Sequence, residues 1–71
     1  MDRMKMYHSL ITDMWKYMKQ YTETLPATDD DWIRMIDQGN ELISKYPEIE
    51  KYATAMVEAT TGELERIARF N

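Results

Sequence analysis

Apolar residues recur near the start of the chain at spacings that alternate between three and four. This heptad seam runs through Met4, Tyr7, Ile11, Met14, Met18 and Tyr21. Only a helix returns residues at this spacing to one side, so the seam predicts a first helix over residues 2–23. By itself, the repeat favours a coiled coil.

The first helix is apolar around about half of its circumference, at roughly 100° of rotation per residue. A helix in a small bundle needs an apolar stripe only somewhat wider than about 100°. We therefore expect most of the heptad seam to lie in the core, and the apolar residues beside it to remain available for a partner. The sequence predicts a partner-binding surface formed by Met6, Leu10, Trp15 and Tyr17.

A second helix is predicted over residues 29–45, after a break at Leu25 and Pro26. The proline removes a backbone N–H and disfavours helical geometry at the residue before it. Thr28 and Asp31 then have the spacing of a capping box, with aspartate in place of the usual glutamate. This pair predicts where the helix begins.

Gly39 lies near the middle of the apolar face of the second helix. The other members of that face are Trp32, Met35, Ile36, Leu42, Ile43 and Tyr46. Glycine costs a helix about 1 kcal/mol relative to alanine, so its place on the buried side predicts a close crossing with a large residue of another helix. The alternative is that Gly39 and Asn40 end one helix and begin another.

The third helix is predicted over residues 47–70, with Pro47 in its first turn. Its apolar face keeps one phase throughout, which favours a continuous helix, although Thr60 and Gly62 belong to a possible second start. Short connections make neighbouring helices antiparallel. The sequence therefore predicts an all-α three-helix bundle and a single domain over residues 1–71. An open arrangement completed by a second copy is the alternative.

Charge is distributed unevenly along the chain, whose formal net charge is −4. Residues 1–23 contain four basic and three acidic side chains, a balance of +1, and residues 24–71 contain five basic and ten acidic ones, a balance of −5. Phosphate binding depends on clustered lysine and arginine, so we do not expect direct binding to nucleic acid. The acidic residues instead predict an acidic face formed by Asp29, Asp30, Asp31, Glu58 and Glu65.

No residue pattern indicates catalysis, a metal or a cofactor. The chain has no cysteine, and its single histidine, His8, has no carboxylate one helical turn away to orient it as a base. Three consecutive aspartates at a helix start point in different directions, and capping explains them without a bound cation. We therefore expect a protein that is not an enzyme, with no catalytic, cofactor-binding or metal-binding residues and no small-molecule substrate.

The absence of cysteine also favours a reducing cytoplasm, because small secreted proteins usually need disulfides. No continuous apolar run follows Arg3 and Lys5 near the N-terminus. The sequence therefore predicts neither a signal peptide nor a membrane span.

Three functional hypotheses follow. The first is a protein–protein interaction module that forms a homodimer through the first helix. The second is an acidic inhibitor or adaptor, of the kind carried by phages and mobile elements, that occupies a basic surface of a partner protein. The third is a small DNA-binding regulator in which helices 2 and 3 form a helix-turn-helix, although Glu48 and Glu50 would then face the phosphates.

Overall fold

The computed structural model describes residues 2–70, which form a bundle of three α-helices and one short 3₁₀ helix. The helices are α1 (Arg3–Glu23), α2 (Asp29–Ser44) and α3 (Glu50–Arg69), and the 3₁₀ helix is Pro47–Ile49. The predicted all-α three-helix bundle is thus confirmed. Met1 and Asn71, the two ends of the predicted domain, lie outside the described residues.

The first two helices begin at capping side chains. The Asp2 carboxylate accepts a hydrogen bond from the Met4 backbone N–H at 3.2 Å. The capping box of α2 is present in both directions, because Asp31 N–H donates to Thr28 Oγ1 at 3.1 Å and Thr28 N–H donates to Asp31 Oδ2 at 3.3 Å. Donation from the Ala27 backbone N–H, followed by the bonds with Thr28, lowers the pKa of Asp31.

Both helices that contain glycine are continuous. α2 runs unbroken through Gly39, and α3 runs unbroken through Gly62, as the constant apolar phase predicted. The start of the third helix differs from the prediction, because Pro47 opens the 3₁₀ turn and α3 begins only at Glu50. Ile49, the last residue of the 3₁₀ helix, precedes α3 with backbone angles outside the α-helical range, and its side chain is buried.

Gly39 lies where α2 approaches both α1 and α3 closely. A Cβ atom at this position would lie 2.8 Å from Val57 Cγ1 of α3 and 3.0 Å from Tyr17 Oη of α1. These distances confirm the close crossing that the sequence predicted, since any side chain larger than hydrogen would displace one of the two neighbours. Trp32, near the start of α2, borders Ala68, near the end of α3. α2 and α3 are therefore antiparallel.

The boundary between α1 and α2 is held by the hydroxyl groups of three buried tyrosines. Tyr17 donates to the Met35 carbonyl at 2.7 Å, Tyr21 donates to the Gln38 side-chain oxygen, and Tyr46, just after α2, donates to the Asp13 carboxylate at 2.6 Å. Asp13 of α1 pairs with Tyr46 just after α2, whereas Tyr21, near the end of α1, pairs with Gln38, which lies earlier in α2. α1 and α2 are therefore antiparallel, and α1 and α3 point the same way. Burial is the main cause that raises the pKa of Tyr17 and Tyr46 to about 12.

The fold should lose stability at alkaline pH through these tyrosines. An unfolded tyrosine ionises near pH 10, whereas the folded Tyr17 and Tyr46 ionise near 12. Between these values the unfolded chain binds fewer protons, so their contribution is complete below pH 10 and declines as the pH rises toward 12. We expect the thermal midpoint, measured by far-UV circular dichroism, to decrease as the pH is raised above 10. A Tyr17→Phe/Tyr46→Phe variant should show a flatter decline, and an equal decline would contradict this origin.

The side of α1 that packs into the core is rotated relative to the predicted seam. Its buried residues are Met6, Leu10, Met14, Tyr17 and Tyr21. Tyr7 and Met18 are partly buried against this core. The expectation that most of the seam lies in the core therefore holds, but it fails for Met4 and Ile11, which are exposed. Residues seven apart are displaced by about 20° around an ordinary α-helix. The first residues of the seam therefore point away from the core, whereas the last ones point into it.

Candidate functional site

Three of the four predicted partner-binding residues are core residues. Met6 and Tyr17 are buried, and Leu10 is completely enclosed. Their assignment to a free surface is wrong, because α2 and α3 pack against this arc of α1 rather than against the arc beside it. The ring of Tyr17 packs against Gly39, and its hydroxyl donates to the Met35 carbonyl. Trp15, the fourth predicted residue, does lie on the surface.

A strip of large apolar side chains remains uncovered along α1. We name it the α1 face, and it consists of Met4, Ile11 and Trp15, which are 72%, 51% and 65% exposed. Spacings of seven and four residues place them on one side of the helix. The surplus of apolar surface that the sequence indicated in the first helix is therefore present, but different residues form it.

The α1 face is bordered by α3 on one side and by basic residues on the other. Tyr7, beside the face, packs edge-on against Tyr52 of α3 with 5.3 Å between ring centroids, and Tyr52 is itself exposed. His8 lies four residues after Met4, and Lys19 lies four residues after Trp15, so both flank the strip. The result is an apolar strip with an aromatic edge and a basic edge.

A second exposed apolar group lies on α2, and the sequence did not point to it. We name it the α2 face, and it consists of Ile33 and Ile36, which are 57% and 52% exposed. Ile36 was expected in the core, and that expectation is wrong. The core-facing arc of α2 is centred on Met35, Gly39 and Leu42, and Ile36 lies about 100° from Met35. Its spacing of three from Ile33 was the available signal.

The five residues of the predicted acidic face have different environments. Asp29 and Asp30 are exposed at the start of α2, and Glu58 is exposed on α3. Asp31 is occupied by the capping box described above, and also lies 4.0 Å from Arg34. Glu65 forms an ion pair with Arg69 at 2.6 Å. Asp37, which lies four residues after Ile33, was not among the predicted residues, but it adds a further acid beside the α2 face.

Two kinds of feature that would indicate a polar site are absent from the described residues. Between residues 2 and 70, no group of three or more acidic or histidine side chains is placed to hold a metal ion. In the same range, no buried side-chain nitrogen or oxygen lacks a hydrogen-bond partner. The large apolar side chains exposed among these residues are those of the α1 face and the α2 face, together with Tyr52 and Phe70.

Comparisons of the chain with protein-family models, with curated proteins and with solved structures found no match. Within residues 2–70, no helix combines the length and the apolar composition needed to cross a lipid bilayer.

Proposed function

We propose that this chain is a non-enzymatic protein–protein interaction module that associates with a second copy of itself through the α1 face. The observation that carries the proposal is the exposure of Met4, Ile11 and Trp15 along one side of α1. Single apolar residues scattered over a surface need no explanation, but an aligned group of large ones marks an interaction site. Tryptophan and methionine are also enriched in interfaces relative to the remaining surface.

The length of the α1 face suits a helix-on-helix contact. Met4 and Trp15 are eleven residues apart, which corresponds to about 16 Å along the helix axis. An apolar strip of this length with a large aromatic side chain is the usual form of a helix that packs against a surface of another chain. Tryptophan, the residue at position 15, is among the side chains that most often contribute a large share of the binding energy of an interface.

The two other hypotheses have less support. An acidic adaptor would use the carboxylates at Asp31 and Glu65, but these are already engaged in a helix cap and an ion pair within the chain. A helix-turn-helix regulator would present the N-terminus of α3 to DNA, where Glu48 and Glu50 are both exposed. Acids at that position oppose contact with phosphate groups.

Self-association should depend on Trp15. Wild-type protein examined by sedimentation equilibrium should form dimers or larger species between about 1 µM and 1 mM. Trp15→Gln should weaken this association by about 30-fold or more, the effect expected when a central aromatic residue is lost. Glutamine is a good helix former, so the thermal midpoint of the variant at low concentration should stay close to that of the wild type.

The matched control is Phe70→Gln, which removes another exposed aromatic side chain, just after the end of α3. This variant should associate as the wild type does. A wild-type chain that remains monomeric throughout the concentration range would overturn the proposed function. An equal effect of Phe70→Gln and Trp15→Gln would show that the association is not centred on the α1 face.

A further inference from the structure

The α1 face and the α2 face lie on opposite sides of α3. Tyr7, beside the α1 face, packs against Tyr52 of α3, and Trp32, beside the α2 face, lines a groove together with Ala68 of α3. Tyr52 and Ala68 are sixteen residues apart, which corresponds to about 160° of rotation around the helix axis. The two faces of one chain therefore cannot contact each other, and can meet only between two copies.

The edges of the two faces carry opposite charge. Lys19 provides the positive charge beside the α1 face, and Glu23 lies four residues after it at the end of the helix. The α2 face is flanked by acids at positions −4, −3 and +4 from Ile33, which are Asp29, Asp30 and Asp37. The pattern agrees with the overall balance of +1 for residues 1–23 and −5 for residues 24–71.

The arginines of α2 and of the last turn of α3 do not cancel this acidic edge. Arg34 lies 4.0 Å from Asp31, and Arg69 lies 2.6 Å from Glu65, so both are already paired within the chain. The carboxylates of Asp29, Asp30 and Asp37 take part in none of the ion pairs found among residues 2–70. An incoming basic edge would therefore meet acids that have no cationic partner.

Charge decides between the possible pairings of the faces. Two α1 faces placed together would bring basic edges toward each other, and two α2 faces would bring acidic edges together. An α1 face placed on an α2 face matches apolar surface with apolar surface and basic with acidic residues. Complementary edges favour encounter and register, whereas like charges placed together suppress a pairing.

We propose, on the basis of the self-association above, that the α1 face of one copy docks on the α2 face of the next. Trp15 and Ile11 then pack on Ile33 and Ile36, with Lys19 near the aspartates of the partner. Such a contact is heterologous, because each copy uses two different faces. An open assembly retains one unoccupied α1 face at one end and one unoccupied α2 face at the other, so it grows as a chain or closes into a ring.

Two variants that each lack one face provide the test. Trp15→Gln lacks the α1 face, and Ile33→Gln/Ile36→Gln lacks the α2 face. Alone, each should be monomeric at concentrations where the wild type associates into species larger than a dimer. An equimolar mixture should form a 1:1 complex and nothing larger, because one intact α1 face and one intact α2 face remain. Sedimentation velocity with one variant labelled measures this complex.

The outcomes separate this inference from the proposed function. If Ile33→Gln/Ile36→Gln associates as the wild type does and the mixture contains no 1:1 complex, the heterologous contact is wrong, and self-association through α1 alone stands. If the wild type is a monomer, both are wrong. A circular dichroism spectrum of each variant confirms that loss of association does not come from loss of folding.

A charge exchange tests the same contact without removing apolar side chains. Lys19→Glu and Asp37→Lys should each weaken self-association by about two- to five-fold, as expected for an exposed charge pair. Mixing the two variants should restore binding, because the Lys19 of one then meets the Asp37 of the other. Equal weakness of the mixture and of the separate variants would contradict the pairing of these faces.

Discussion

Leu10→Ala should destabilise the protein severely, whereas Ile11→Ala, at the neighbouring residue, should have little effect. Leu10 is 0% exposed and Ile11 is 51% exposed. Truncating a buried leucine removes apolar contacts and leaves a cavity, at a cost of about 2–5 kcal/mol. A chain of this length has a total stability on the order of 4–10 kcal/mol, so the loss is a large part of it. Ile11→Ala should change stability by about 0.5 kcal/mol.

Urea denaturation of the three proteins, followed by circular dichroism, measures this difference in the free energy of unfolding. Leu10→Met serves as the control, because it keeps the volume of the side chain and should cost less than about 1.5 kcal/mol. The thermal midpoint of Leu10→Ala should fall by about 10 °C or more. Equal losses at Leu10 and Ile11 would mean that the heptad seam, and not the arc centred on Leu10, faces the core.

Gly39→Ala and Gly62→Ala should change stability in opposite directions. At Gly39 the new methyl group would lie 2.8 Å from Val57 Cγ1 and 3.0 Å from Tyr17 Oη. Valine in a helix is stiff at χ1, so the helices must separate or the hydrogen bond from Tyr17 to Met35 must lengthen. Overpacking costs about 1–3 kcal/mol, against about 1 kcal/mol gained in helix propensity. We expect a net destabilisation of up to about 2 kcal/mol.

Gly62 provides the comparison, because no heavy atom lies within 4 Å of an added Cβ there. Gly62→Ala should stabilise the protein by about 0.5–1 kcal/mol through helix propensity alone. Chemical denaturation of both variants measures these changes. The double variant Gly39→Ala/Val57→Ala should lose less than the sum of its two single changes, because the second change removes the atom that the new methyl group meets. A stabilising effect of Gly39→Ala would contradict the close crossing.

The helix ends and the crossing at Gly39 could be predicted from sequence, because they depend on local chemistry. The capping box of Thr28 and Asp31 starts α2 where predicted, and α2 ends at Ser44, one residue before the prediction. The continuity of α3 through Gly62 followed from its constant apolar phase. The 3₁₀ turn at Pro47 was missed, because proline suits the first turn of either kind of helix.

The candidate surface could be predicted only in part. The surplus of apolar residues in α1 was evident, and Trp15 was correctly placed on the surface. Met6, Leu10 and Tyr17 were assigned to the wrong side, because a helix that is apolar over half its circumference offers more than one arc for burial. The α2 face was missed, because Ile36 was assigned to the core and Ile33 was given no place on either side of the helix.

The sequence by itself determined three helices, their approximate ends and the place where they approach closely. These features follow from proline geometry, side-chain caps and the spacing of apolar residues, all of which act within a few positions of the chain. The tertiary structure alone decided which arc of α1 is buried. The cause lies on α2, where Tyr17 packs against Gly39 and donates to the Met35 carbonyl. These contacts fix the rotation of α1 that places Leu10 in the core. The same rotation leaves Met4, Ile11 and Trp15 on the surface.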